Sequence, residues 1–274
     1  MRAASRTVTS PSLSWVSRLR HWTQNGPVHP LSVLSLLLIP ALWFLVTSLQ
    51  LVTPLFLPPP ADVIRAAQEL LATGELQHDL FASLFRIAAG FTLATGLGSI
   101  MGILIGRSPL LADIFEPIFD VLRQISPVAW IPLAIIWFGF GEASKLYIIF
   151  LGAFFPTLVN AAAGIRSVEP KIVDAARSLG ANQRQIFVHV SLPATLPYLF
   201  TGLTIGLGNS VRFVVAAELA GATSGLGYMM MSAREVFRTD IVLVGMVAMA
   251  AIGLLAMGII ILVQKRLLHW HYGG

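Results

Sequence analysis

Long apolar runs separated by short polar stretches constrain this chain more than any other feature. Several runs approach the roughly 20 residues an α-helix needs to cross a bilayer. Hydrophobic residues make up 56% of the 274 and charged ones only 11%, against roughly a quarter charged in a soluble domain. Mean hydropathy is +0.79. A soluble chain of this length would still need a polar surface, so the composition implies an all-α integral membrane protein with lipid as its main solvent. Cys is absent, which removes disulfides and thiolate metal sites. The net charge of +5 is spread among loops rather than massed on one face, which argues against nucleic acid as a partner.

Six spans are expected: Leu31 to Leu51, Phe81 to Ile105, a broken span from Leu110 to Trp137, Leu146 to Ile165, Ala194 to Ala217, and Ile241 to Val263. An even number puts both termini on one side. Arg2, Arg6, Arg18, Arg20, Arg107, Arg166, Lys171, Arg177, Arg184, Lys265 and Arg266 all fall in one set of loops. The other set holds Arg65, Lys145, Arg234 and Arg238 among seven carboxylates. The positive-inside rule therefore places both termini in the cytoplasm. Residues 1–30 read as a basic cytoplasmic tail followed by an uncleaved first span, and 31–274 as a single transmembrane domain without internal repeats.

Two segments between the spans carry local signals. After Pro58, Pro59 and Pro60, residues Asp62 to Leu71 read as an outer surface helix with Val63, Ala66, Ala67 and Leu70 on one face. In the third span, Asp113, Glu116, Asp120 and Arg123 share a helical face before Pro127 and Pro132 interrupt it. That pattern fits either a polar pathway at a broken helix or an interfacial helix whose charges stay wet.

Catalytic chemistry has little footing. Gly96, Gly98, Gly102 and Gly106 sit inside an apolar span, where small residues serve close helix packing rather than a dinucleotide loop. There is no GxxxxGK[ST] phosphate loop, no HExxH, no GxSxG and no paired His cluster. The chain is therefore expected to carry no enzyme chemistry, metal or cofactor of its own.

The polar stretch from Val173 to Pro197, VDAARSLGANQRQIFVHVSLPATLP, is better organised. Pro170 opens a short helix with Ile172, Val173, Ala176 and Leu179 as its apolar stripe, and Gly180 can take a left-handed cap. Asn182 can cap a second helix with Ile186, Phe187 and Val190 on its apolar side, ended by Pro193. Helices this short are marginal alone and must dock, either on the membrane surface or on a partner.

Asp174, Ala175, Ala176, Gly180, Leu192 and Pro193 resemble the EAA---G---------I-LP loop of permease subunits in binding-protein-dependent ATP-binding-cassette importers. Asp174 stands where Glu is usual and Val190 where Ile is usual. Through LVTPLFLPPP, VAWIPLAIIWFGFGEASK, GAFFP, VAAELAGATSGLGYM and FRTDIVLVG, the chain from about Leu51 to Trp270 resembles the branch that imports taurine and other sulfonates, which has nitrate and bicarbonate permeases as relatives.

The resemblance implies a type I importer permease fold in a bacterial inner membrane. It implies a second copy of the chain, two cytoplasmic ATPase subunits carrying ATP and Mg, and a periplasmic substrate-binding protein. Asp174, Ala175, Ala176, Arg177, Gly180, Leu192 and Pro193 would couple the ATPase to the spans. Ionisable groups at or within spans mark a candidate pathway: Arg123, Arg212 and Glu218, with Asn209 and Ser210 beside them. Against this, Arg123 can pair with Asp120, and Glu218 can lie near the outer surface. A nitrate, bicarbonate or other small-anion importer remains open, as does a self-sufficient channel or secondary transporter.

Overall fold

A computed structural model of the chain describes residues 30–268, in two units that divide after Pro54. The basic tail, with its four arginines, lies outside the described residues, as do His269 and His271. In the first unit, α1 spans Pro30–Ser48, and its described apolar stretch is Leu37–Ser48. Leu37, Leu38, Ile39 and Phe44 are all exposed, as suits a helix solvated by lipid.

The second unit contains α2 (Pro60–Thr73), α3 (Glu75–Arg107), α4 (Pro109–Leu122), a 3-10 turn (Pro127–Trp130), α5 (Ile131–Phe138) and α6 (Glu142–Arg166). It continues with α7 (Pro170–Ser178), α8 (Gln183–Ile186), a π turn (Phe187–Ser191), α9 (Leu192–Leu219), α10 (Leu226–Glu235) and α11 (Thr239–Leu267). Four helices are long and apolar enough to cross a bilayer: α3, α6, α11, and the continuous 37-residue rod from Gln183 to Leu219. The pair Pro109–Leu122 and Pro127–Phe138 makes a fifth crossing bent by 86°. By length and composition the described residues carry up to five crossings, and the first of the six expected spans coincides with α1.

The core is a trio of α3, α6 and α9 packed along small-residue faces. A Cβ on Gly98 would sit 2.9 Å from Phe154 O, one on Gly102 2.4 Å from Leu158 O, and one on Gly106 2.9 Å from Ile165 Cβ. These glycines recur every four residues, so they form one stripe against α6 and let the two backbones touch. Gly96 belongs to a different face and has open space around it. Gly202 and Gly206 do the same for α9 against α6 at Asn160 and Ala153.

α3 begins at Glu75, six residues before the apolar run starts, because Glu75, Gln77, His78 and Asp79 continue the helix ahead of that run. At 33 residues it is about 50 Å long, longer than the ~30 Å apolar layer. α2 lies as the amphipathic pattern requires, with Val63, Ala66 and Leu70 buried. Arg238 ties α2 to the start of α11 through Glu69 at 3.2 Å and Asp240 at 2.8 Å. Hydrogen bonding to Asp240 raises the Arg238 guanidinium above its ordinary value.

The bend in the fifth crossing has a local cause. Pro127 disfavours the helical region for the residue before it, and Ser126 is extended at φ −57° and ψ 134°. Pro132 falls in the first turn of α5, where its missing N–H costs nothing.

Candidate functional site

The loop from Pro170 to Pro193 is built from two reciprocal capping devices. Gly180, at φ +84°, ends α7. Its N–H donates to Arg177 O at 2.9 Å, and the Ala181 N–H donates to Ala176 O at 3.0 Å, a Schellman pair. Two residues later the Asn182 Oδ1 accepts the Gln185 N–H at 2.9 Å, while Gln185 Oε1 accepts the Asn182 N–H at 2.8 Å. The α7–α8 corner is therefore a defined bend.

Asp174, Ala175 and Arg177 are exposed on α7, and Arg177 pairs with Asp174 at 3.4 Å. Ala176 is half-buried. The apolar stripe splits: Val173 and Ala176 turn partly inward, while Ile172 is half exposed and Leu179 is 89% exposed. No residue of α7 is buried. Leu192 and Pro193, both half-buried, start α9. Just before them, the Leu192 N–H donates to Phe187 O, closing the π turn. The Arg107 guanidinium, at the C-terminal end of α3, lies 4.2 Å from the Phe187 ring centroid and pins this turn to the core.

A second feature lies where α4 breaks. Arg123, Gln124, Phe155, Asn160, Asn209 and Phe213 help line a cavity of about 390 Å³ between the break, α6 and α9. The acidic stripe leading to it is paired: Arg123 with Asp120 at 3.0 Å, and Glu116 with Arg166 at 2.5 Å.

Pro156 has no N–H to offer the carbonyl of Gly152 four residues earlier. Asn209 of α9 supplies the missing donor through Nδ2 at 3.0 Å, and its Oδ1 is 3.5 Å from Arg212 Nη1. The structure thus brings Arg123 and Asn209 to one cavity, with Arg212 exposed beside Asn209. Ser210 and Glu218 do not line it. Ser210 is fully buried and donates to Gly206 O at 3.0 Å.

Glu218 belongs to a third cluster that sequence reasoning missed. Arg86, 2% exposed, grips Glu142 through Nε at 2.6 Å and Nη2 at 2.7 Å. Its Nη1 donates to Glu218 Oε1 and to Ser224 O, each at 2.7 Å. Glu218 also accepts from the Ser83 hydroxyl at 2.8 Å and from the Gly227 N–H at 2.8 Å. Asp79 accepts the Gly225 N–H at 2.8 Å. Lys145, 5% exposed, adds a bond to Glu142 at 3.0 Å.

The cluster joins α3, α6, α9 and the α9–α10 turn. A signal for it exists in the chain: Asp79, Ser83 and Arg86 share one face of α3, and that face continues as the glycine stripe. Among the described residues no group of His, Asp and Glu could hold a metal ion.

Comparison with known proteins places these features. Residues 94–269 match the family described as the binding-protein-dependent transport system inner membrane component. The taurine transport system permease protein of Escherichia coli (strain K12) is 42% identical over 88% of this chain and 90% of its own length. A permease protein named for aliphatic sulfonates transport in Bacillus subtilis (strain 168) is 39% identical over 84% of this chain and 83% of its own. The nitrate import permease protein of Synechocystis sp. (strain ATCC 27184 / PCC 6803 / Kazusa) is 33% identical over 73% and 76%.

Proposed function

Because the chain belongs to the inner membrane component family of binding-protein-dependent transport systems, a family of multi-pass permease subunits, we propose that it carries a small organosulfonate, taurine foremost, from periplasm to cytoplasm. The relatives named for taurine and aliphatic sulfonates are more similar to it than the nitrate permease, which favours a sulfonate over nitrate. Two copies would form the pathway, two ATPase subunits holding ATP and Mg would supply the energy, and a periplasmic binding protein would deliver the substrate. No nucleotide chemistry falls to this chain itself, and both of its termini would face the cytoplasm.

The observation that carries the coupling role is the α7–α8 corner: rigidly capped, without a buried residue on α7, and presenting Leu179 at 89% exposure. An isolated apolar knob held on a stiff turn suits insertion into a groove of a partner. Asp174, Ala175, Ala176 and Arg177 would set register there, Gly180 the bend, and Leu192 and Pro193 the entry into α9. The polar pair Asp174 and Arg177 costs little to expose and contributes little alone. Arg123, Asn209 and Arg212 would face the pathway. Ser210 and Glu218, whose polar atoms are spent inside helix contacts, would act through packing.

Reconstitution tests this reading. Permease, ATPase and binding protein in proteoliposomes should accumulate taurine on ATP. Leu179→Asp and Gly180→Asp should abolish uptake and co-isolation of the ATPase while leaving membrane insertion intact. Taurine transport by the permease alone would overturn the reading in favour of a channel or secondary transporter.

A further inference from the structure

We propose that the cavity between the α4–α5 break, α6 and α9 is a transient binding site for a short aliphatic sulfonate, with Arg123 as its anion-binding residue. The inference rests on the sulfonate-importer reading and adds to it a place where the substrate pauses inside the bundle.

Depth is the first argument. Arg123 follows the 14 residues of α4, while Phe155 and Asn209 lie near the middles of α6 (25 residues) and α9 (28 residues). The cavity therefore sits at mid-depth of the crossing helices. Polar side chains facing hydrocarbon there would cost several kcal/mol each, so this side of the bundle faces water or a second copy rather than lipid. Substrate sites in transporters form at discontinuous helices for the same reason: only a cavity tolerates the broken backbone.

The lining supplies the chemistry. Arg123 is its one charged residue, and no carboxylate is among the lining groups. Three carboxamides, Gln124, Asn160 and Asn209, stand around it. Asn160 and Asn209 each spend one N–H on the α6 backbone, at Pro156 O (2.8 Å) and Gly152 O (3.0 Å). A carboxamide has two such hydrogens, so each retains one for a ligand oxygen. Phe155 and Phe213 provide apolar surface for a short alkyl chain. At about 390 Å³ the cavity falls within the ~300–1,000 Å³ of small-molecule sites.

Asp120 sets the strength of the hold. It sits 3.0 Å from Arg123 Nε and compensates part of the charge. A bare arginine would retain a sulfonate, which is anionic at every physiological pH, too long for transport. A compensated one attracts the anion and still releases it, the balance any conducting site needs.

The test uses the purified permease–ATPase complex without binding protein, with radiolabelled taurine as the probe in a scintillation proximity assay. Wild type should retain taurine, and Arg123→Gln should weaken retention about tenfold or more, as expected for losing a charged hydrogen bond. Asn160→Ala, which keeps the ion pair, should weaken it severalfold, and thermal unfolding in detergent should confirm that both variants are folded. No retention by wild type, or equal retention by wild type and Arg123→Gln, overturns the site. Taurine uptake by the complete wild-type transporter is measured in parallel. Its absence sinks the importer reading, whereas uptake without dependence on Arg123 sinks only the cavity.

Discussion

Changing Glu218 to Gln alters one atom and leaves the shape of the Arg86 cluster intact. Oε1 faces the Arg86 Nη1 at 2.7 Å and Oε2 faces the Gly227 N–H at 2.8 Å, so both carboxylate oxygens meet donors. A carboxamide has only one acceptor oxygen; whichever way it turns, its NH2 confronts another N–H. The variant therefore leaves one buried donor unpaired, at about 1–3 kcal/mol, and removes one of the two carboxylates that neutralise Arg86. Glu218→Ala, which strips Arg86 of that partner altogether, should cost more, about 3–5 kcal/mol.

Arg86→Met combined with Glu218→Met should recover part of the Glu218→Ala loss, because the buried Arg86 charge is removed together with its partner and Glu142 keeps Lys145 at 3.0 Å, while the Gly227 N–H stays without its acceptor. Unfolding by SDS titration in mixed micelles measures all four proteins. A Glu218→Gln variant within 0.5 kcal/mol of wild type, or a double variant less stable than both singles, would refute the reasoning.

Gly102→Ala should destabilise the protein, because its Cβ would lie 2.4 Å from the Leu158 carbonyl oxygen and force α3 from α6. Gly96→Ala, with open space around it, should be neutral within ~0.5 kcal/mol in the same titration. Asn209→Leu should cost about 1–3 kcal/mol by leaving the Gly152 carbonyl without a donor, and Pro156→Ala, which restores the helical N–H, should reduce that penalty in the double variant. In this cysteine-free chain, Ala153→Cys with Gly206→Cys should oxidise readily, since the two Cβ positions are 3.3 Å apart, and the cross-linked transporter should still take up substrate in proteoliposomes.

What the sequence made legible was local. Each end of the α7–α8 corner is governed by a few adjacent residues, Gly180 on one side and Asn182 with Gln185 on the other, and the caps form as their chemistry requires. The face of α2 is equally local, set by a period of 3.6 residues. The limits of α3 were not legible from hydropathy, because a helix continues past the apolar run whenever its polar residues keep the hydrogen-bond ladder, and Glu75, Gln77, His78 and Asp79 do. Arg86 itself bonds residues 56 to 138 positions away; a face can be read from one helix, but a partner on another cannot. The cavity escaped for the same reason, since its existence depends on an 86° bend whose angle no propensity specifies.

The positions of these contacts bear on which parts move together. α3, α6 and α9 are joined near one end by Arg86 with Glu142 and Glu218, through their middles by glycine-mediated backbone contact, and near the other end by Arg107 against Phe187. Separating any two of them would break a buried ion pair or open a packed interface, each costing several kcal/mol. The α7–α8 loop connects α6 to α9, so a displacement applied to it would be delivered to the trio as one body, the mode of motion expected of packed helices. The broken span packs on the trio through Leu111, Phe115 and Phe119, with Glu116 and Arg166 as a half-exposed pair. Any motion of the trio against the α4–α5 break would act at the seam between them. The cavity occupies that seam, with Arg123 on one side and Asn160 and Asn209 on the other, so a movement of this kind would change the distance between the proposed anion-binding group and the amides around it.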